Sequence, residues 1–255
     1  MKFIGIDFGW VSGASGLCCL QWQNQQLDIV EIDIQTELED VLAWLDRLVS
    51  AQESAIVAVD APTLIPNQIG TRVPDRLSHK YFGKYHAGCY PANLNRPFAE
   101  RTVGFGKSLE KRGFAHAANI TPQKLGRYQI EVFPHPAIVH LFDLDRILKY
   151  KKGKLSDKKR ELKRLRSYIV ELLPKLTPSL NVDSPVVIPK IANQFTGRQL
   201  KVVEDRLDAI ICAYTAAYWW YWGQSNDKNI VLGDETTGYI VVPNRVVLPQ
   251  KDGIL

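Results

Sequence analysis

Lys2-Phe3-Ile4-Gly5-Ile6-Asp7-Phe8 at the head of the chain and Ala55-Ile56-Val57-Ala58-Val59-Asp60 further on decide the fold. Both stretches are short, apolar and rich in β-branched residues. Each closes on turn chemistry, Phe8-Gly9 in one case and Ala61-Pro62 in the other. These are the marks of buried strands. Each strand delivers a carboxylate where it ends, at Asp7 and at Asp60. In open α/β sheets, ligands bind beyond the carboxyl ends of the strands. Two carboxylates from one sheet repel each other unless a cation or a shared proton lies between them. The pair therefore points to metal-dependent chemistry on phosphate.

The residues between the two stretches supply the topology. Gly16–Trp22 reads as a second strand, Gln23-Asn24-Gln25-Gln26 as a polar turn, and Leu27–Ile34 as a returning third strand. Leu38, Val41, Leu42, Leu45 and Leu48 recur at helical spacing, which predicts a helix of about 14 residues. A three-strand meander, a helix and a fourth strand make an RNase H-like opening. The same opening begins the actin-like sugar kinases and Hsp70-type ATPases. The expected fold class is α/β, an RNase H-like mixed sheet flanked by helices.

From residue 62 to residue 127 hydrophobic periodicity weakens, and Pro, Gly, Arg, Lys and aromatics dominate. A structureless loop of that length is improbable in a compact domain. It is expected to be an insertion with short helices, packed over the sheet end that carries Asp7 and Asp60, within a single domain spanning 1–255. A fifth strand is predicted at Tyr128–Phe133 and a short helix at Pro136–Leu141. Lys149–Arg166 is dense in Lys and Arg, and with the apolar stripe Leu155, Leu162, Leu165 and Ile169 it predicts an amphipathic helix with a basic outer face. Glu204–Trp222 is the last predicted long helix, and Ile230–Leu232 and Tyr239–Val242 are short strands.

Composition sets wide bounds. The chain has 255 residues, with 45% apolar and 23% charged residues and a formal net charge of +5. That suits a globular protein and permits an anionic partner without requiring one. Cys18, Cys19, Cys89 and Cys212 contain no CxxC pair, so zinc spacing is absent, and Cys18, Cys19 and Cys212, in apolar surroundings, are expected to be buried thiols in a reducing cytoplasm. No signal-peptide pattern opens the chain, and the apolar run Ala209–Trp222 is shorter than the ~20 residues a membrane span needs.

The candidate acids are Asp7, Asp60, Glu131 and the trio Glu204, Asp205 and Asp208. Asp205 and Asp208 share a helix face at i,i+3. Hard oxygen ligands from several elements suit Mg²⁺ or Mn²⁺. A pair of such ions can activate water and clamp a phosphate. Glu204 and Asp205 also fit a plainer role, since acids at a helix start favour the macrodipole.

With these residues in view, the chain resembles a family of predicted RNase H-like nucleases. The matching pieces are Gly5-Ile6-Asp7, Val59-Asp60-Ala61-Pro62, Glu131-Val132-Phe133-Pro134-His135-Pro136, Glu204-Asp205-Arg206-Leu207-Asp208-Ala209, Gly233-Asp234-Glu235 and Gly238-Tyr239-Ile240-Val241-Val242-Pro243. The resemblance implies an RNase H-like fold and an acidic catalytic site at Asp7, Asp60, Glu131 and Asp208; the expected metal ligands are Asp7, Asp60, Asp208 and Asp205.

Phosphate contacts are expected from Arg72 and Arg76, the first cations after Asp60. Further Lys and Arg up to Arg127 interleave with aromatics such as Tyr81, Tyr85 and Tyr90. Cations hold phosphates and exposed aromatics stack on bases, so DNA or RNA is the expected partner. Gly106-Lys107-Ser108 is set aside as a phosphate loop, because Arg101 stands where that motif needs Gly. His135, beside Glu131, is a candidate proton shuttle. The expected function is hydrolysis of phosphodiester bonds by a metal-dependent nuclease. Two rivals stand beside it. An actin-like ATP-dependent phosphotransferase would need a second phosphate-binding loop in the later half of the chain. A catalytically inactive nucleic-acid-binding module would keep the fold and lose the ions.

Overall fold

The computed structural model describes residues 1–11, 13–224 and 227–246. β1 (Lys2–Asp7), β2 (Ser15–Gln23) and β3 (Gln26–Gln35) form an antiparallel meander. Asn24 and Gln25 both take positive φ, the conformation a two-residue hairpin needs to match strand twist. α1 (Leu38–Leu48) then crosses to β4 (Ala55–Val59), which runs parallel to β1. The segment 62–127 supplies α2 (Val73–Phe82), α3 (Ala99–Glu110) and the short β5 (Ala115–His116). The expected fifth strand is β6 (Arg127–Glu131), parallel to both β4 and β5. α4 (Pro134–Leu141), α5 (Leu155–Leu172), β7 (Ser179–Asn181), α6 (Gly197–Trp222), β8 (Asn229–Asp234) and β9 (Gly238–Pro243) complete the order.

The main sheet has seven strands in the order β5-β6-β4-β1-β2-β3-β7, and four of its six pairings are parallel. This mixed α/β sheet flanked by helices is consistent with an RNase H-like fold. β8 and β9 form a separate hairpin. It docks on the strand ends through a Val132–Val241 bridge and through Tyr239, whose hydroxyl donates to Gln129 O at 2.8 Å. Among the described residues, no helix is long and apolar enough to cross a membrane.

Side-chain alternation divides the core. Ile4 and Ile6 of β1, with Val57 and Val59 of β4, pack with α1 and with Phe105 of α3. Phe8 stacks on Phe105 at 4.6 Å between ring centroids. Phe3, Ile56 and Ala58 face the other way, against α6. Alternate residues share a face, so Asp7 and Asp60 continue the face that looks at α6.

α6 lies unusually close to that face. A Cβ added at Gly5 would stand 2.1 Å from Ala209 O, and one at Gly16 would stand 2.0 Å from Asp205 O. Glycine is required at both positions because helix backbone meets strand backbone. The helix is also longer than the sequence reading gave it. Thr196 caps it and forms a capping box with Gln199, so it begins at Gly197 and not at Glu204. Glu204 and Asp205 are therefore mid-helix residues, and the macrodipole account of them does not apply. The other boundary that matters is at 149–154. The basic helix was expected from Lys149, but it starts at Leu155, and the preceding loop carries Tyr150 and Lys151 inward.

Candidate active site

Strand register explains why Asp7 and Asp60 are neighbours. β1 and β4 run parallel with Ile6 level with Val59, and Asp60 N–H donates to Ile6 O at 2.8 Å. The next residue on each strand, Asp7 and Asp60, leaves the ladder side by side. β6 continues the row, but Val59 is level with Glu131. Glu131 thus sits one residue earlier in the row than the two aspartates, and its side chain turns to the opposite face. There it meets Arg72, not α6.

Asp7, Asp60 and Asp205 line a cavity of about 490 Å³, together with His135, Lys151 and Lys201. Burial is the main force on each of these carboxyls. It lifts Asp7 and Asp60 above the ordinary carboxylate range, against the pull of Lys151, and the neighbouring aspartates add to the rise. Asp205 is pushed up to about 8 by burial, next by the charge of Asp7. Asp205 and Asp7 are close enough to act on each other's titration, and each carboxyl is raised. Lys201 stands 2.6 Å from Asp205 Oδ1 and 2.7 Å from Glu204 Oε1. Among the described residues, nothing donates a hydrogen bond to the Asp60 carboxylate.

Asp208 belongs to the same neighbourhood but not to the cavity wall. It is fully buried. Tyr150 donates to its Oδ1 at 2.8 Å, and Lys151 Nζ lies 2.8 Å from its Oδ2. The Lys151 contact is an ion pair and not an aligned hydrogen bond. Burial works against the Lys151 charge, but Asp208, then Asp7, outweigh it and hold the ammonium well above its ordinary pKa. His135 has an Nδ1 without a hydrogen-bond partner, and burial, then Lys151, takes it down to about 4. At neutral pH its imidazole is therefore uncharged.

Of the cations named from sequence, Arg72 lines the same cavity, together with Glu131 and Asp75, and Arg76 is not among its lining residues. Arg72 is buried and spans two acids. It donates to Glu131 at 2.7 and 2.8 Å and to Asp75 at 2.8 and 3.3 Å. Leu64 O takes a further bond from it. Burial opposes its charge, but Glu131 and Asp75 secure it. Burial also lifts Glu131 to about 7. Arg72 is thus committed to the protein and is not free for a phosphate, and Glu131 is not free for an ion. Arg76 is exposed on α2 and, among the described residues, its side chain bonds only Thr71 O. Gly106-Lys107-Ser108 lies inside α3, as its rejection as a phosphate loop requires.

Lys151, Tyr150 and Lys201 were missed as site residues. Lys201 was findable, since it stands three and four residues before Glu204 and Asp205 on one helix. Tyr150 and Lys151 come from a loop that carries no pattern.

Asp7, Asp60 and Asp205 offer hard oxygens to an ion, and their raised pKa values record repulsion that a divalent cation would relieve. Among the described residues, however, no three His, Cys, Asp or Glu side chains already stand around a common point. Holding an ion requires the carboxylates to turn toward one another. No curated protein matches the chain. A family model matches residues 5–234, and on that match the chain belongs to the family described as "Protein of unknown function (DUF429)".

Proposed function

We propose that this protein is a metal-dependent phosphodiester hydrolase acting on nucleic acid, an RNase H-like nuclease. The observation that carries the reading is the pairing of Asp7 and Asp60 at adjacent parallel strand ends, with neither carboxylate in an ion pair among the described residues. Asp7, Asp60 and Asp205 would hold Mg²⁺ or Mn²⁺. When bound, such an ion supplies an acidified water and offsets charge on the phosphate. The chain's own residues do the rest. Lys151 brings a fixed positive charge to the cavity wall, and neutral His135 brings an unpartnered ring nitrogen that can form a hydrogen bond. The hairpin residue Ile240 and the aromatic Phe133 give the cavity an apolar stretch of wall.

Two surface features support a polyanionic substrate. Tyr90 is exposed where it lines the cavity, with the Arg96 guanidinium 5.9 Å from its ring centroid, so a base can stack there. Next to the Lys151 loop, Arg146, Lys149 and Lys152 line a second recess and can follow a phosphate backbone. Buried thiols at Cys18, Cys19 and Cys212 fit the reducing cytoplasm.

The test is a digestion screen with Mg²⁺ and with Mn²⁺ over single-stranded, duplex, hybrid and branched substrates, run beside Asp7→Asn. Cleavage by wild type that disappears in the variant supports the reading. The absence of cleavage on every substrate favours the inactive binding module, a reading to which the internal pairing of Asp208 by Lys151 lends weight.

A further inference from the structure

The basic excess of this chain is local. Residues 149–166 hold ten Lys and Arg against two acids, Asp157 and Glu161, a net +8; the whole chain carries +5, so the remaining residues sum to −3. The run covers the loop before α5 and the first two-thirds of that helix. Its two acids are already engaged. Arg160 pairs with Asp157 and Glu161, and Arg164 pairs with Glu161. Among the described residues, Lys149, Lys152, Lys154, Lys158, Lys159 and Lys163 meet no carboxylate. Lys159 and Lys163 rest instead on Asn193, at its backbone O (2.6 Å) and its Oδ1 (2.7 Å). These two stand four residues apart, and like charges at that spacing destabilise a helix. A polyanion laid along the helix relieves them.

The cations also line a series of recesses that starts at the cavity. Lys151 is in the cavity wall, and its neighbour Lys152 lines the next recess, of about 600 Å³. Arg160 and Arg164 belong both to that recess and to a third, of about 570 Å³, where Lys159 and Lys163 join them. α5 has 18 residues and is therefore about 27 Å long, room for about eight nucleotides of one strand at about 3.4 Å each. The surface suits phosphodiesters and not lipid. A helix that lies on a membrane puts its apolar face into the bilayer. The apolar face of α5, Leu162, Leu165 and Ile169, is fully buried in the core. Among the described residues, no aromatic stands exposed on α5, so it offers cations to a backbone and no platform to bases.

We propose that the loop before α5 and the outer face of α5 form a track for a nucleic-acid backbone, leading away from the cavity and holding the phosphates of a polymeric substrate. The inference rests on the nucleic-acid reading above and needs no metal ion.

Binding without divalent ions tests it apart from cleavage. Fluorescein-labelled 24-mers of DNA and of RNA, single-stranded and duplex, are titrated with the full chain in EDTA over a series of KCl concentrations, with anisotropy as the readout. Wild type is compared with Lys159→Gln/Lys163→Gln and with Lys175→Gln/Lys228→Gln. The second pair removes the same charge from exposed lysines outside the cavity and both recesses. Gln has nearly the helix propensity of Lys, and circular dichroism checks that each variant is folded. The expected result is that wild type binds at least one of the 24-mers. The α5 variant should bind it about tenfold more weakly at low salt, with a slope of log affinity against log salt smaller by about two phosphate contacts. The control pair should change neither. Equal weakening by both pairs, or an unchanged slope in the α5 variant, overturns the inference and leaves the nucleic-acid reading standing. No binding of any 24-mer by folded wild type overturns the inference, and the digestion screen then decides the wider reading alone. A parallel titration uses phosphatidylglycerol vesicles. Vesicle binding in place of nucleic-acid binding, lost in the α5 variant, overturns the inference in favour of a membrane surface.

Discussion

Glu131 and Asp60 sit at the ends of neighbouring parallel strands, yet the Glu131 carboxylate takes two short hydrogen bonds from Arg72 while, among the described residues, the Asp60 carboxylate takes none. Around Glu131, the arginine, Asp75 and the backbone of Ala92 satisfy one another. Around Asp60, burial raises the carboxyl, the charge of Lys151 only partly offsets it, and the neighbouring acids add to the rise. A satisfied buried ion cluster holds a structure in register. An unsatisfied one costs stability and persists where a ligand relieves it. The two ends of adjacent strands thus divide the labour within one cavity: Glu131 ties α2 to the sheet, and Asp60 presents a carboxylate without a hydrogen bond.

The largest expected effect tests the cavity side. Asp7→Asn should lower metal-dependent cleavage by orders of magnitude, while the melting temperature holds or rises as carboxylate repulsion is relieved. A variant that cleaves like wild type would erase the distinction between the two strand ends. The knot should respond in the opposite sense. Arg72→Ala leaves Glu131 and Asp75 buried without their counter-charge and should cost about 3–5 kcal/mol in urea unfolding. Unchanged stability with lost activity would instead move Arg72 into the site.

A third measurement sharpens the contrast through pH. Asp205, lifted to about 8, binds its proton more tightly folded than unfolded. Its contribution is fully present below the ordinary aspartate pKa near 4 and is lost as pH rises toward 8. Asp205→Asn should therefore gain stability over wild type, by a margin that widens between pH 5 and pH 8 in thermal melts without divalent ions. A constant margin would show that Asp205 is not held protonated. The smallest effect belongs to Arg76. Arg76→Ala should weaken nucleic-acid binding modestly and reduce the slope of log affinity against log salt by about one phosphate contact. An unchanged slope would place Arg76 outside the substrate path.

Much of this arrangement was legible in the chain. The apolar strands ending in Asp7 and Asp60 and the meander between them give the sheet and the cavity-facing pair. The face on which Glu131 falls was also legible in principle. Ile130 and Val132 flank it, and alternation alone sends Glu131 away from the face they share. Reading it as a ligand gave weight to its place at a strand end and none to parity. Arg72 misled for a related reason, because a cation near an acid cluster can serve a substrate or the protein, and only the long-range meeting with Glu131 decides. Tyr150 and Lys151 were beyond reach. A loop residue has no period, and its entry into the site depends on where α4 and α6 leave room.

Gly5 and Gly16 give α6 one more property. The contacts they permit join backbone to backbone, one helical turn apart, at Ala209 and at Asp205. No side-chain rotation can loosen them, so the helix can leave the sheet only as a body. Amide exchange along α6 should then require global opening, together with β1 and β2, while the exposed outer face of α5 exchanges by local fraying. Asp205 and Asp208 travel with the helix. Heat should therefore never yield a folded chain with a dispersed acid cluster, and the curve of thermal inactivation should overlie the curve of unfolding.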